Sequence, residues 1–422
     1  MLRISPVTKR LIGTTSQLLW HLPENPELNL EYLSNANNAE EINRNNRARK
    51  GVGDIDLVLK LHNTLNELTP RDSNYESIHK QFCNELLKIP NRTHPSVTHL
   101  REPSVINTIG QKGVFDFKPR EFHDICKRLN FVRTDQLGNV AGNRSYYLLG
   151  EMAELEKALI NYTVTHLLKH NFELVSVPDI LHRDIIEACG LNTRGDRTQV
   201  YNLDSNMFGP DLCLSGTSEM ALAALYANEV VPERDLPIKL AGVSRCYRAE
   251  TSSVAEERGI YRVHQFTKVE MFAISKPADS DSILEEFRLI EETNFSSLGL
   301  HLQTLDMPPH ELGAPAYRKY DIEAWMPGRN MYGEVSSCSN CTDFQSRRLN
   351  IKYDNESELG YVHTLNGTAC AIPRMLIAII ETYQTDKGVI GIPEVLQKYM
   401  KNKTVMSKQL AIPDLRLIKY KK

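Results

Sequence analysis

The chain has 422 residues, of which 41% are hydrophobic and 24% charged, values that are ordinary for a soluble globular protein of two or three domains. A formal net charge of −3 does not indicate a nucleic-acid-binding protein, so any such contact must use a local basic surface. The eight scattered cysteines argue against a disulfide scaffold and fit a reducing compartment, and no apolar run is long enough to span a bilayer.

The first 20 residues differ in composition from the rest of the chain. They carry Arg3, Lys9 and Arg10 among several Ser and Thr residues, and the first acidic residue is Glu24. This composition predicts an organelle transit peptide over residues 1–20. The alternative is an ordinary frayed terminus, and a secretory signal is disfavoured because the apolar stretch is short and interrupted.

Two helices are predicted next. Apolar residues recur at three- and four-residue spacings over 58–68, with Asp54 as a candidate N-cap, and again over 75–89. A short polar turn between them predicts an antiparallel helical hairpin, and residues 90–103 read as a proline-containing linker. We therefore assign residues 21–104 to a helical arm and linker; periodicity alone leaves open a small helical cap packed on the main body.

Residues 105–422 are predicted to form one larger α+β domain. Strands alternate with helices without a regular βαβ rhythm, which indicates an antiparallel sheet with helices packed on it. The predicted helices are 121–129, 148–169, 281–298 and the segment through Arg374 to Tyr383; the predicted strands are 173–177 before Pro178, 320–325, 333–337 and 359–365.

The stretch from Thr217 to Glu270 carries the strongest functional signal. Two apolar-rich runs, 238–243 and 263–271, flank a polar loop, a pattern typical of two antiparallel strands. The strand ends combine arginines, glutamates and an aromatic residue, which a solvated hairpin does not need. That mixture predicts a site for a phosphate, an ammonium group and a base.

From about Phe115 to Met400 the chain resembles the seryl-tRNA synthetases, a family of class II aminoacyl-tRNA synthetases. The resemblance rests on five segments in the order of that family. They are the helix and strand ending in Pro178 (motif 1), 247–250 through 264–266 (motif 2), 366–368 through Arg374 (motif 3), and the family-specific segments 217–219 and 334–340.

The resemblance implies a class II catalytic domain preceded by an N-terminal antiparallel helical hairpin that serves as the tRNA-binding arm. It implies activation of L-serine with ATP and Mg²⁺ to seryl-adenylate, transfer to tRNA-Ser, and a homodimer formed through motif 1. With the predicted transit segment it places the protein in the mitochondrial matrix, with the cytoplasm as the alternative, and not in a membrane.

The same resemblance assigns roles to individual residues. Arg248 would bridge the serine carboxylate and the α-phosphate, and Arg374 would hold the far phosphates, so these two are the catalytic candidates. Serine-binding candidates are Thr217, Ser218, Glu219, Arg248, Glu270, Asn366 and Thr368. ATP-binding candidates are Arg248, Ala249, Glu250, Arg258, Val263, His264, Phe266, Glu334, Val335, Ser336, Ser337 and Arg374, of which Glu334 and Ser337 would also hold Mg²⁺.

Within this set, Glu250 would accept a hydrogen bond from the adenine amino group and Phe266 would stack on the ring. Arg258 would reach the γ-phosphate or the tRNA acceptor end. His264 is more simply a structural histidine. Glu270 and Thr368 would share the serine hydroxyl.

Some features depart from the family pattern or resemble other sites. The motif 2 loop has Thr251–Ser253 in place of the usual Ala-Gly-Ser, which leaves its contacts with the tRNA acceptor end open. Cys338 and Cys341 have a zinc-like spacing, but without a second pair we interpret them as packed thiols. Two alternative functions remain: an adenylating paralogue that loads a carrier protein, and a non-catalytic synthetase-like RNA-binding protein.

Overall fold

The computed structural model describes residues 22, 26–134, 141–195, 198–209, 211–250 and 259–413. The predicted transit segment 1–20, the departure at Thr251–Ser253 and the candidate Arg258 lie outside these residues. The helices are α1 (Leu30–Leu33), α2 (Ala39–Ala48), α3 (Ile55–Glu67), α4 (Tyr75–Lys88), α5 (Phe122–Leu129), α6 (Glu151–Lys169), α7 (Arg183–Ala188), α8 (Ser205–Phe208), α9 (Glu219–Ala224), α10 (Ser280–Ser296), α11 (Phe344–Leu349), α12 (Ile372–Thr382) and α13 (Glu394–Gln397).

The strands alternate with these helices without a βαβ repeat, as the sequence predicts. They are β1 (Ser104–Ile109), β2 (Val132–Arg133), β3 (Tyr147–Leu148), β4 (Glu173–Val175), β5 (Ile180–His182), β6 (Tyr201–Asn202), β7 (Leu212–Leu214), β8 (Val230–Pro232), β9 (Ile238–Tyr247), β10 (Gln265–Ser275), β11 (Leu302–Asp306), β12 (Arg318–Met326), β13 (Met331–Thr342), β14 (Lys352–Asp354), β15 (Leu359–Tyr361), β16 (His363–Ala371), β17 (Ile390–Gly391) and β18 (Val405–Met406).

Helices α3 and α4 form the predicted hairpin. The Asp54 side chain accepts a hydrogen bond from the Leu57 backbone N–H at 3.0 Å and so caps α3 as expected. The two helices bury Val58, Phe82 and Leu86 in a small apolar cluster of their own. The hairpin is therefore held by its own core and not only by helix propensity.

The helical unit is also fastened to the catalytic domain through buried polar groups. Arg49, which follows α2, is only 5% exposed and donates to the carbonyl oxygen of Asn91 at 2.7 Å and to that of Gly313. Asn91 in turn donates to the carbonyl oxygens of Pro315 and Cys341, both at 2.8 Å. Backbone acceptors thus satisfy the guanidinium, and its burial lowers the pKa of Arg49 to about 10.

An eight-stranded sheet organises the larger domain. Its order is β1-β11-β12-β13-β16-β10-β9-β4, and every neighbouring pair is antiparallel except β4 and β9. Helices α6, α10 and α12 pack on this sheet and bury one continuous core that includes Leu159, Phe287 and Ile377. The α+β prediction is confirmed. No helix among the described residues is both long and apolar enough to traverse a bilayer.

The strand predicted over 359–365 is wrong in its extent. Leu359–Tyr361 pairs with β14, whereas His363–Ala371 pairs with β13 and β10 in the main sheet. The motif Asn366-Gly367-Thr368 therefore lies inside a central strand and does not follow it. Two strands of different sheets are joined here with only Val362 between them. That residue is fully buried, so no polar or turn-forming residue marks the break.

The sequence also places one helix start too early and misses two strands of the eight-stranded sheet, besides the short strands outside it. The helix predicted from residue 148 begins at Glu151, because Leu148 pairs with β2 and Gly150 adopts φ 52°, a backbone region that favours glycine. Strands β1 and β11 were not predicted. The short edge strand β1 is largely exposed, so it lacks the apolar alternation that marks a half-buried strand.

Candidate active site

A cavity of about 220 Å³ opens on the face of the sheet opposite α10. Gly367 faces Glu291 of α10, so its neighbours Asn366 and Thr368 point to the other face, as strand alternation requires. The cavity is lined by Leu191, Thr217, Glu219, Arg248, Glu250, Tyr261, Arg262, Val263, Phe266, Lys268, Glu270, Glu334, Val335, Ser336, Ser337, Asn366, Thr368, Ala371, Pro373 and Arg374.

Most of the predicted site residues meet in this cavity, and three described candidates do not line it. The Ser218 side chain is buried against Gly242, and Ala249 uses its N–H to reach the carbonyl oxygen of Gln199 at 2.8 Å. His264 Nδ1 lies 2.8 Å from the Tyr201 hydroxyl and 3.0 Å from the Arg248 carbonyl oxygen. These contacts match the structural interpretation of His264.

Glu219 forms a buried acidic wall of the cavity. It is the first residue of α9, and Oε1 accepts hydrogen bonds from Gln345 Nε2 at 2.7 Å and Asn366 Nδ2 at 2.9 Å. Burial raises the pKa of Glu219. The two hydrogen-bond donors and the nearby Lys268 and Arg248 act in the opposite direction and lower it. A carboxylate fixed in this way is suited to receive an ammonium group.

Glu270 lies beside Glu219 and opposite Thr368 in the pairing of β10 with β16. Its side chain is 2% exposed and forms an ion pair with Lys268, two residues earlier on the same strand. Burial raises the pKa of Glu270 to about 7, against the lowering effect of Lys268. Glu270 and Thr368 thus present a carboxylate and a hydroxyl to the same point of the cavity.

A second charged region lies where β13 meets the start of α12. Arg374 Nη1 is 3.2 Å from Glu334 Oε2 and donates to the Glu334 carbonyl oxygen at 3.1 Å. The Arg374 guanidinium also lies 4.6 Å from the ring centre of Tyr261. Burial in the cavity wall acts to raise the pKa of Glu334, but Arg374 and Lys319 bring it below its usual range, so Glu334 is ionised.

The remaining wall combines an aromatic face with a buried carboxylate. The Arg248 guanidinium lies 5.3 Å from the ring centre of Phe266. The Glu250 side chain is 4% exposed, with Arg262 Nη1 at 3.5 Å and Arg144 Nη1 at 4.0 Å. A flat ring next to a buried acceptor is a suitable surface for a purine base.

Sequence reasoning missed several cavity residues, of which Lys268, Tyr261 and Arg262 are polar. Lys268 could have been found, because it lies two residues before Glu270 in a predicted strand and must share its face. Tyr261 and Arg262 belong to the loop before β10, where no periodicity indicates direction. Leu191, Ala371 and Pro373 were missed as well.

The zinc-like pair Cys338 and Cys341 does not form a metal site. Both thiols are free and buried in β13, and their three-residue spacing sends them to opposite faces of the sheet. Cys341 Sγ accepts a hydrogen bond from Asn366 Nδ2 at 3.5 Å, whereas Cys338 pairs with Gly367 on the α10 side. The described residues hold no cluster of three or more metal-ligating side chains.

Comparisons with known proteins agree with the geometry of this cavity. Residues 201–383 match the family described as tRNA synthetase class II core domain (G, H, P, S and T). The mitochondrial serine–tRNA ligase of Mus musculus is 44% identical over 339 residues, which cover 79% of this chain and 65% of that protein. The chain therefore spans less than two thirds of the length of the mouse protein.

A bacterial relative is matched over more of its length, and a solved structure shares the fold. The serine–tRNA ligase of Treponema denticola is 42% identical over 319 residues, covering 74% of this chain and 75% of that protein. The cytoplasmic serine–tRNA ligase of Naegleria fowleri, solved in complex with AMP, aligns with a TM-score of 0.81 and 29% identity over 90% of this chain and 98% of that one. With class II motifs 2 and 3 both in the cavity wall, the chain belongs to the serine–tRNA ligase family of class II aminoacyl-tRNA synthetases.

Proposed function

We propose that this chain is a serine–tRNA ligase, which activates L-serine with ATP and transfers the seryl group to tRNA-Ser. The observation that carries the proposal is the convergence of Glu219, Glu270 and Thr368 at one end of a cavity that also contains Arg248 and Phe266. The first three residues supply partners for an ammonium group and a hydroxyl, which together distinguish serine from glycine and alanine.

In the activation step an oxygen of the serine carboxylate attacks the α-phosphorus of ATP, and pyrophosphate leaves. Arg248 lies between the acidic end of the cavity and the ring of Phe266, where its planar fork can hold both the carboxylate and the α-phosphate. Catalysis then consists mainly of positioning and of stabilising the charge on the phosphate oxygens. Glu250 would receive the adenine amino group and Arg374 the far phosphates.

The residues Glu334 and Ser337 fit the Mg²⁺ that accompanies ATP. Glu334 is kept ionised by Arg374, and Ser337 offers a hydroxyl on the same wall, so both donors are the hard oxygen ligands that Mg²⁺ prefers. When bound, Mg²⁺ supplies charge neutralisation on the phosphate oxygens. The Glu334–Arg374 ion pair must open for both groups to reach the nucleotide.

The tRNA is proposed to contact the α3–α4 hairpin, with its acceptor end entering the cavity. Homodimerisation through α6 and the edge strand β4 would follow the motif 1 arrangement, with isologous contacts. The mitochondrial matrix is proposed as the compartment. It is supported by the composition of residues 1–20 and by the mitochondrial name of the mouse relative.

The proposed function is tested by charging purified mitochondrial and cytosolic tRNA with labelled serine. We expect serine to be transferred to tRNA-Ser, with mitochondrial tRNA preferred, and the Arg248→Ala variant to lose this activity while keeping the fold. Activation of serine without transfer to any tRNA would instead favour the adenylating paralogue that loads a carrier protein. A folded enzyme without serine activation would contradict both.

A further inference from the structure

Lys268 is a buried cation in the cavity wall to which none of the site predictions gives a role. Its side chain is 7% exposed, and its Nζ contacts Glu270 Oε2. Burying an ammonium group is costly unless it is paired, so a lysine at this position requires a partner that is ionised. The pair thus ties the state of Glu270 to Lys268.

The strand geometry leaves one oxygen of the Glu270 carboxylate available to a ligand. In the pairing of β10 with β16, Lys268 lies opposite Ala371 and Glu270 opposite Thr368, with a register irregularity after Val269. Lys268 therefore approaches Glu270 from the side away from Thr368 and engages Oε2. This ion pair involves Oε2 and leaves Oε1 as the oxygen that can face a ligand.

The charges around Glu270 explain why it needs this cation. Lys268 on its own strand and Arg248 after β9 favour the carboxylate, whereas Glu219 at the start of α9 opposes it. Glu291 on α10 and the thiol of Cys246 on β9 also interact electrostatically with Glu270. Burial outweighs the favourable charges and raises the pKa of Glu270 to about 7, so removing Lys268 would raise it further.

We propose that Lys268 is a positioning residue for amino-acid selectivity, because it holds Glu270 as a carboxylate with one oxygen engaged and the other directed at the serine hydroxyl. This inference rests on the proposed function and adds the residue that sets its substrate preference. A protonated Glu270 would gain an O–H donor that could bond to Thr368 and would keep only a weaker, uncharged acceptor, which reduces the penalty for a ligand without a hydroxyl.

Two consequences follow. The value of kcat/KM for serine falls as pH drops through the pKa of Glu270 in the free enzyme, since the carboxylate accepts the serine hydroxyl in a stronger hydrogen bond than the protonated acid does. Binding of an alanine analogue lacks this dependence, because alanine brings no hydroxyl to the carboxylate. The selectivity for serine over alanine is therefore a function of pH in this enzyme.

The experiment measures serine-dependent ATP–pyrophosphate exchange from about pH 6 to about pH 9, on both sides of that pKa, for the wild type, Lys268→Met and Lys268→Arg. In parallel, inhibition by the sulfamoyl adenylates of serine and alanine gives the selectivity as a ratio of Ki values. Lys239→Met is the matched control, because Lys239 forms an ion pair with Glu286 at 2.7 Å outside the cavity. Circular dichroism and Tm establish that each variant is folded.

For Lys268→Met we expect the acidic limb of the pH profile of kcat/KM to move to higher pH. At neutral pH we expect the preference for the serine analogue over the alanine analogue, measured as the ratio of their Ki values, to fall by about 10- to 100-fold, the effect of one charge-assisted hydrogen bond. Lys268→Arg should return the acidic limb of the kcat/KM profile close to its wild-type pH, and Lys239→Met should leave that limb in place. If Lys268→Met weakened the binding of both analogues equally and did not shift the limb, Lys268 would be a structural residue and the inference would be overturned.

The wild type alone gives a second test should Lys268→Met not fold. The serine analogue must weaken below the pKa of Glu270 while the alanine analogue does not, and identical pH profiles for the two would overturn the inference. A wild-type enzyme that shows no serine-dependent exchange would overturn the proposed function itself and this inference with it.

Discussion

The substitution Gly367→Ala connects the packing behind the sheet to the cavity in front of it. A Cβ at this position would lie 2.9 Å from Glu291 Oε1 and 3.0 Å from both Met271 Cε and Phe287 Cδ2. All three neighbours are fully buried, so none can swing into solvent. The added methyl must therefore push β16 away from α10 or strain the side chains of that layer.

Overpacking of this kind costs about 1–3 kcal/mol. In a domain of this size we expect the Tm to fall by about 1–2 °C for each kcal/mol, because the unfolding entropy grows with the number of residues. Activity should fall too, because Asn366 and Thr368 flank the substituted residue and line the cavity, and a misplacement of about 1 Å can reduce catalysis about 10²-fold.

Differential scanning calorimetry and serine-dependent exchange measure the two effects on one preparation of Gly367→Ala. The control is Gly313→Ala, at an exposed position where the nearest heavy atom to the new Cβ is Pro315 Cδ at 3.7 Å, an ordinary contact. If Gly367→Ala kept the Tm and the kcat/KM of the wild type, the argument from close packing between α10 and β16 would be refuted.

Three further predictions concern other parts of the chain. Asp54→Ala should destabilise the helical hairpin by about 1 kcal/mol through loss of the α3 cap, which hydrogen exchange of that hairpin would detect. Arg49→Met should loosen the hairpin from the catalytic domain by about 1–3 kcal/mol, seen as earlier proteolysis after α2, because the carbonyl oxygens of Asn91 and Gly313 lose a charged donor. A thiol reagent should modify Cys83 before the seven buried cysteines, and Cys83→Ser should remove the fast phase of that reaction.

The fold could be predicted wherever apolar periodicity was strong. The hairpin α3–α4 and the helices α5, α10 and α12 lie close to their expected positions. The strands β9 and β10 extend four residues beyond the apolar runs that predicted them, to Tyr247 and Ser275. The end of β9 carries the polar residues Ser244 and Arg245, whose place in a strand is decided by the neighbouring strand and not by their own propensity. The end of β10 is apolar through Ile274, so there the predicted run was simply drawn too short.

The candidate site could be predicted mainly through motifs, and its electrostatics could not. The sequence grouped Glu219, Glu270 and Glu334 as binding residues, and the two-residue spacing could have placed Lys268 beside Glu270, but nothing in it indicated that Arg374 pairs with Glu334. Glu334 lies on β13 and Arg374 on α12, and a contact between elements distant in the chain depends on tertiary packing, which no local pattern encodes. For the same reason the strand break at Val362 was invisible in the sequence.

The ion pairs of the cavity suggest that a bound substrate replaces contacts between oppositely charged side chains, while the cavity as a whole stays nearly neutral. Glu334 and Arg374 satisfy each other, as do Glu270 and Lys268, so neither ion pair adds net charge to the cavity. Ligands of matching charge can then replace internal contacts without leaving a buried charge unpaired. Under the proposed roles, this arrangement would favour binding of ATP together with Mg²⁺, because Arg374 and Glu334 would be released at the same time.

The central claim is that the cavity between β9, β10, β13 and β16 activates serine. The measurement that tests it most directly is ATP–pyrophosphate exchange by the purified chain with each of the common amino acids, for the wild type and for Arg248→Ala. We predict exchange that depends on serine, is far weaker with alanine and threonine, and is lost in the folded Arg248→Ala variant. Exchange that prefers another amino acid, or that survives in Arg248→Ala, would contradict the claim.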